Sequence, residues 1–222
     1  PGLRGSTTAE SAEATRTAAR WLESAGYQVD EVEQPLFGEA AELWWKLALT
    51  EFAIGMIGEV ERVGDTGFRR FFDLMFTVYR EEFGEVDLAG FVAGWARRGL
   101  LRRRLSEFME RYPLVLTPVS GEPPFPMGSD AESAERTAEL MGRQWPLMSV
   151  PVLGFPALGL PVPGGVGAAP LGVQVIGRPF EDAAVFAAAE VIEARAGFAT
   201  PIDPSPTGQS PTGKSHDVAA LG

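Results

Sequence analysis

Proline sets the strictest limit on what this chain can form. Its most apolar stretch, residues 147–166, is interrupted by Pro151, Pro156, Pro161 and Pro163 and by Gly154, Gly159, Gly164 and Gly165. Proline lacks the N–H that a helix interior needs and pushes the residue before it toward extended backbone. A continuous helix is therefore excluded, and with it a membrane-spanning helix, which takes about 20 uninterrupted apolar residues. Short buried pieces remain. Residues 157–162 and 171–176 read as strands, joined across the glycine-rich stretch 163–170 by a loop or hairpin. Leu114, Val115 and Leu116 form another short apolar run, a buried strand that ends at Thr117 and Pro118. Residues 121–128, with Pro123, Pro124 and Pro126, make an ordered or extended loop, and 131–141 returns to helix. Residues 181–196 are apolar nearly all round, which predicts a buried last helix.

Earlier in the chain the period is helical. Thr7 and Glu10 fit a capping box, and Ala14, Ala18, Trp21, Leu22 and Ala25 share one face of the helix that follows, until Gly26 stops it. Residues 27–32 read as a short strand, closed by Pro35. From 37 to 112 the reading is helical. It opens with an apolar stretch through Leu43, Trp44, Leu47, Ala48, Phe52 and Ile54 and a turn at 64–67. An aromatic helix over 68–83 follows, then a long one over 86–112 with Phe91, Trp95, Leu101, Leu105, Phe108 and Met109 turned inward. Helices in succession beside short strands predict a helical layer set against a sheet, an α/β fold. Proline, serine, glycine and threonine dominate residues 200–222, which read as a disordered tail.

With 222 residues, 45% of them hydrophobic and 22% charged, the chain can bury a sizeable core. A net charge of −11, from 30 acidic and 19 basic residues, opposes broad contact with a phosphate backbone, so nucleic acid is not an expected partner. The chain has no cysteine, which removes thiol nucleophiles, disulfides and thiolate metal sites and suits a cytoplasmic setting. No metal or cofactor is expected.

The usual nucleophile–base pairs are hard to assemble. The single histidine, His216, lies in the tail, away from any rigid frame. Of the two lysines, Lys214 is also in the tail and Lys46, beside helix tryptophans, reads as a snorkelling surface residue. Acidic neighbours such as Glu81 and Glu82 read as solvated faces, and Glu181 with Asp182 as helix N-terminal charge. Residues 208–215, Gly-Gln-Ser-Pro-Thr-Gly-Lys-Ser, satisfy a phosphate-loop pattern. That mechanism needs a buried strand before it and a long helix after it, and this stretch has a proline-rich run before it and seven residues after it. It reads as a chance match. Arg97, Arg98, Arg102, Arg103 and Arg104 read as the solvated face of a helix, paired with Glu107 and Glu110.

Three passages, taken in order, carry more. Residues 108–119 read Phe-Met-Glu-Arg-Tyr-Pro-Leu-Val-Leu-Thr-Pro-Val, with Pro123-Pro124-Phe125-Pro126 following. Residues 144–161 hold Gln-Trp-Pro-Leu-Met-Ser-Val-Pro, then Gly-Phe-Pro-Ala and an apolar run closed by Pro161. Residues 170–177 read Pro-Leu-Gly-Val-Gln-Val-Ile-Gly, with Phe180-Glu181-Asp182 beyond. Together with Leu22-x-x-Ala-Gly-Tyr-x-Val29, these resemble the C-terminal portion of the amidase signature family, over 9–204 and most strongly over 112–182.

The resemblance implies a mixed, twisted sheet covered by helices on both faces, present here incompletely as a C-terminal half over residues 1–199. It implies hydrolysis of carbon–nitrogen bonds in linear amides. In that chemistry a serine nucleophile is assisted by a second serine and a deprotonated lysine, with a Gly/Ser-rich loop around the oxyanion. Those catalytic residues belong to the family's N-terminal half, and nothing in this chain matches them. No catalytic residue is therefore carried over, and the chain alone is expected to be inactive. What the matching half implies is an acyl-pocket wall at Thr117, Pro118, Val119, Trp145, Pro146 and Met148, with core filling as the alternative for Trp145 and Met148. The expected partners are a small amide, the missing N-terminal half of the same protein and, as an open option, a second copy. Two alternatives stay open: a non-catalytic relic or binding subunit, and the glutaminase-type subunit of an amidotransferase complex. A sheet cut through its middle should also leave unpaired edges and an exposed apolar face.

Overall fold

The computed structural model describes residues 5–33, 36–164 and 169–197. The elements are α1 (Ala9–Ser24), α2 (Leu36–Gly55), α3 (Ile57–Val63), α4 (Thr66–Phe83), α5 (Leu88–Phe108), β1 (Leu114–Pro118), α6 (Ala134–Arg143), α7 (Trp145–Leu153), β2 (Ala157–Val162), β3 (Leu171–Gly177) and α8 (Asp182–Ala196). The tail 200–222, with its phosphate-loop match, His216 and Lys214, lies outside the described residues.

Local chemistry explains most of the boundaries. Asp65 accepts from the Phe68 N–H and starts α4, Asp87 accepts from Gly90 and starts α5, and Ser133 accepts from Arg136 and starts α6. Gly154, at φ 68°, ends α7. The cap of α1 is Thr8, one residue beyond the expected Thr7, because the Thr8 N–H is tied to the Gly121 carbonyl at 2.7 Å. That tertiary bond fixes where the helix can begin.

The three strands stand in the order β1-β3-β2 and pair antiparallel throughout, with Thr117 opposite Gln174 and Gly159 opposite Gln174 on the other side. A parallel component of a mixed sheet is not among the described strands. Val173 and Val175 turn to one face, where α1 and α8 cover them with Ala14, Ala18, Leu22, Val185, Ala188 and Ile192. The other face meets the helical layer at Ile176, packed with Leu43, Leu47, Leu101, Leu105 and Leu153 of α2, α5 and α7. Behind it a third cluster joins α2, α4 and α6 around Trp45, Leu49, Phe72, Phe76 and Leu140. Helix α2 serves both helical clusters because Leu43 and Leu47 lie on one side and Trp45 and Leu49 on the other. Among the described residues β1 and β2 each pair on one side only, so both outer edges are open.

Several expectations need correction. Residues 27–32 are irregular, not a strand. Tyr27 and Val29 pack onto the α1–α8 cluster without a strand to pair with. The helical segment breaks once more than expected, at Met56, which separates α2 from α3. Helix α8 is not buried all round: Phe186 is 57% exposed, because α1 and the sheet cover one side only. Trp95, expected inward, is 44% exposed, since α5 is buried only at Leu101 and Leu105, with Met109 just past its end. The arginine face is only partly solvated. Arg103 pairs with Glu107 as expected, while Arg97 pairs with Glu39 of α2 and Arg98 donates to the Val152 carbonyl of α7.

Candidate functional site

The exit of β1 and the entry of α7 lie side by side, and one side chain holds them there. Gln174, in the middle of β3, is 5% exposed. Its Nε2 donates to the Pro118 carbonyl at 3.3 Å and to the Pro146 carbonyl at 3.2 Å. Each acceptor has a second donor: Thr117 Oγ1 reaches Pro118 O at 3.1 Å, and Ser149 Oγ reaches Pro146 O at 3.0 Å. A carbonyl oxygen carries two lone pairs, so both are filled.

The next residues continue the seam. The Val119 N–H donates to Gly172 at 2.8 Å, and the Val119 side chain lies so close that a Cβ on Gly172 would stand 2.9 Å from the Val119 Cβ. Gln144 Nε2 donates to Ser120 Oγ at 3.1 Å. The Gly121 N–H donates to the Arg143 carbonyl at 2.7 Å, and its own carbonyl accepts from Thr8. Any Cβ at Gly121 would lie 2.2 Å from Ser6 O, so only glycine fits between the N-terminal segment and the end of α6.

This seam borders a cavity of about 180 Å³ lined by Val119, Ser120, Glu122, Phe125, Gln144 and Gly172, among others. Of the six residues expected to form a pocket wall, Val119 alone lines it. Thr117, Pro118 and Pro146 are buried beneath it in the Gln174 network. Trp145 is half-buried between the two helical clusters, and Met148 fills the cluster around Trp45. The structure thus brings Thr117, Pro118, Val119 and Pro146 together and directs Trp145 and Met148 to packing.

Two residues here escaped the sequence reading. Gln174 was visible as a lone polar residue inside the apolar run Val173–Ile176, the usual mark of a buried hydrogen-bonding role. Glu122 sat in a proline-rich loop with no distinguishing signal. Its carboxylate stands 3.5 Å from Arg143 Nε, at a side-chain exposure of 11%. Burial pushes its pKa up from the ordinary carboxylate value, against the opposing pull of Arg143 and Arg136. Glu122 Oε1 and Arg143 Nε are both buried without a hydrogen-bond partner among the described residues. The only described lysine, Lys46, holds its Nζ 5.1 Å from the centre of the Phe83 ring, as expected for a snorkelling side chain.

The chain resembles known proteins along most of its length. A family model described as Amidase matches residues 4–186. The indoleacetamide hydrolase of Bradyrhizobium diazoefficiens is 34% identical over 188 residues, covering 84% of this chain and 35% of that protein. A glutamyl-tRNA(Gln) amidotransferase subunit from Xanthobacter autotrophicus is 37% identical over 101 residues, covering 45% of this chain and 20% of that protein. Among solved structures, the corresponding glutamyl-tRNA(Gln) amidotransferase subunit from Thermotoga maritima superposes with a TM-score of 0.64 at 24% identity, over 88% of this chain and 43% of that one. A bacterial aryl acylamidase of the amidase signature family gives a TM-score of 0.63 at 18% identity, over 87% and 44%. These structures share the fold, which this chain holds as an incomplete α/β amidase-signature arrangement. The chain spans well under half the length of the curated relatives it matches.

Proposed function

Because this chain belongs to the amidase family, we propose that it is the C-terminal, pocket-wall portion of a hydrolase that cleaves the carbon–nitrogen bond of small linear amides. The nucleophile, proton relay and base are supplied by the rest of a longer polypeptide. The observation that carries this reading is the Gln174 junction, which fixes the end of β1 against the start of α7 beside a cavity. Ligands of α/β folds bind at strand ends and the adjoining loops. In this reading Val119 is a direct wall residue, Thr117, Pro118 and Pro146 hold it from below, and Trp145 and Met148 act through packing.

An amide with an apolar or aromatic acyl group suits the aromatic helical layer, and an indoleacetamide hydrolase among the relatives supports that choice. The glutaminase-type alternative also has relatives behind it, named as subunits of glutamyl-tRNA(Gln) amidotransferase. We place small-amide hydrolysis first because the indoleacetamide hydrolase is 34% identical over 84% of this chain, whereas an amidotransferase subunit covering the same share is 26% identical. A cytoplasmic enzyme, with a homodimer as one assembly, completes the proposal.

The test is the sequence encoded in frame before Pro1, followed by assay of the longer product. A Gly/Ser-rich loop with two serines and an upstream lysine, and turnover of aryl and aliphatic amides by that product, are expected. An upstream sequence with neither element, and no turnover, would instead favour a non-catalytic relic.

A further inference from the structure

A second cavity, of about 170 Å³, opens between α2, α5 and α7. Trp44, Leu47, Glu51, Trp95, Arg98 and Pro151 line it, and Arg98 is its only basic residue. The Arg98 Nε donates to the carbonyl of Val152, one of the unsatisfied carbonyls at the C-terminal end of α7. Its guanidinium carbon stands 5.2 Å from the centre of the Trp95 ring. Nε is one of the nitrogens of a fixed planar fork with five N–H donors, so most of the fork is left for another acceptor.

No carboxylate pairs with Arg98 among the described residues, whereas Arg97 pairs with Glu39 and Arg103 with Glu107. Glu51 shares the cavity without forming an ion pair with it. Burial, and after it the charge of Arg102, hold the Arg98 pKa below its ordinary value. The Arg102 Nε is itself buried without a hydrogen-bond partner among the described residues. Arginine stays cationic under such conditions, so a partly buried guanidinium with free N–H donors faces this groove beside Arg102, with Glu51 on the lining but not in an ion pair with it. A guanidinium at a cleft with most of its fork uncommitted, set against an indole ring, is a place where a planar anion gains affinity.

We propose that this groove binds a small carboxylate carried on a flat apolar body, the carboxylate on the free N–H edge of Arg98 and the body against the Trp44 and Trp95 indoles. The cavity is smaller than the roughly 300 Å³ at which pockets for drug-sized ligands begin, so the body is a single ring or a short chain. Such acids are also what amide hydrolysis releases, but the proposal concerns binding alone and does not rest on turnover.

The experiment titrates the 222-residue chain with phenylacetate and, separately, with uncharged phenylacetamide, read by tryptophan fluorescence and by ligand-observed NMR. Saturable binding of phenylacetate, with the amide about tenfold weaker, is the expected result. Arg98→Lys should weaken phenylacetate about tenfold by removing the fork. Since Arg98 also caps α7, Trp95→Ala serves as the second variant: its ring is 44% exposed, so the fold survives its loss while affinity drops. Equal affinity for acid and amide, no saturation up to about 10 mM, or no change in either variant would overturn the proposal. So would loss of phenylacetate binding in a longer polypeptide containing this chain, which would make the groove an internal seat for an acidic side chain.

Discussion

Replacing Gln174 by methionine tests the junction on which the functional reading depends. Methionine keeps the length and volume of the buried side chain and removes both donors. The two bonds it loses measure 3.3 and 3.2 Å, just beyond and at the long end of the normal range. Neither carbonyl is orphaned, because Thr117 Oγ1 still serves Pro118 O and Ser149 Oγ still serves Pro146 O. The loss is therefore two net hydrogen bonds without a desolvation penalty, about 1–2 kcal/mol in all. With a urea dependence of about 2 kcal/mol per molar, the midpoint should fall by about 0.5–1 M, read by tryptophan fluorescence. Adding Ser149→Ala removes the other side-chain donor to Pro146 O, which keeps its place in the backbone ladder of α7, so the double variant should lose about the sum of the two singles. Gln174→Glu should be worse than either single change at neutral pH, because it buries a carboxylate against two carbonyl oxygens, and should recover in acid as the carboxyl becomes protonated and donates. If Gln174→Met melts with the parent, the junction is incidental packing and does not hold the site in place.

Other consequences can be checked on the same chain. Gly121→Ala drives a Cβ to within 2.2 Å of Ser6 O and should cost about 1–3 kcal/mol, with the largest losses of hydrogen-exchange protection at Thr8 and Gly121; an unchanged melt would contradict the close approach. Glu122 has a folded-state pKa raised by burial, so its contribution to stability is present below the unfolded carboxylate pKa and is lost as pH rises through the folded value. Glu122→Gln should thus gain on the parent progressively as pH climbs from the acid side toward neutrality in urea melts, and a constant difference across that window would show that the carboxyl is not perturbed. Phe186→Lys on the open side of α8, where Phe186 is 57% exposed, should raise the solubility limit of the chain with little change in its melting midpoint; equal solubility in light scattering would show that this face does not drive association.

What the sequence made legible follows from how local each cause is. The strands could be read because each is a short apolar run bounded by proline or glycine, and the helix starts because Asp65, Asp87 and Ser133 act on residues three positions on. Tyr27 and Val29 are apolar enough for a strand, yet strand pairing is a tertiary decision and no neighbour is in reach among the described residues. The shift of the α1 cap from Thr7 to Thr8 has the same origin, a bond to Gly121, far along the chain. Phe186 and Trp95 look inward on periodicity alone; their exposure depends on which surfaces the remaining elements cover. At the site, motif resemblance pointed to Thr117, Pro118, Val119 and Pro146, which the structure brings together at one junction, though Val119 alone lines the cavity. Gln174 stood inside a matching motif, but its role needed the register that sets Thr117 opposite it. The acidic Glu122 became distinctive only once its burial near Arg143 was known.

If this chain forms the pocket side of an amide hydrolase, the reacting groups must lie elsewhere in the polypeptide. The most direct measurement compares release of ammonia from indoleacetamide and phenylacetamide by the purified 222-residue chain and by the longer product encoded with it. Turnover is expected from the longer product, abolished when its Gly/Ser-loop serine is changed to alanine, and none above the buffer rate from the 222-residue chain. Saturable hydrolysis by the 222-residue chain on its own would contradict this division of labour.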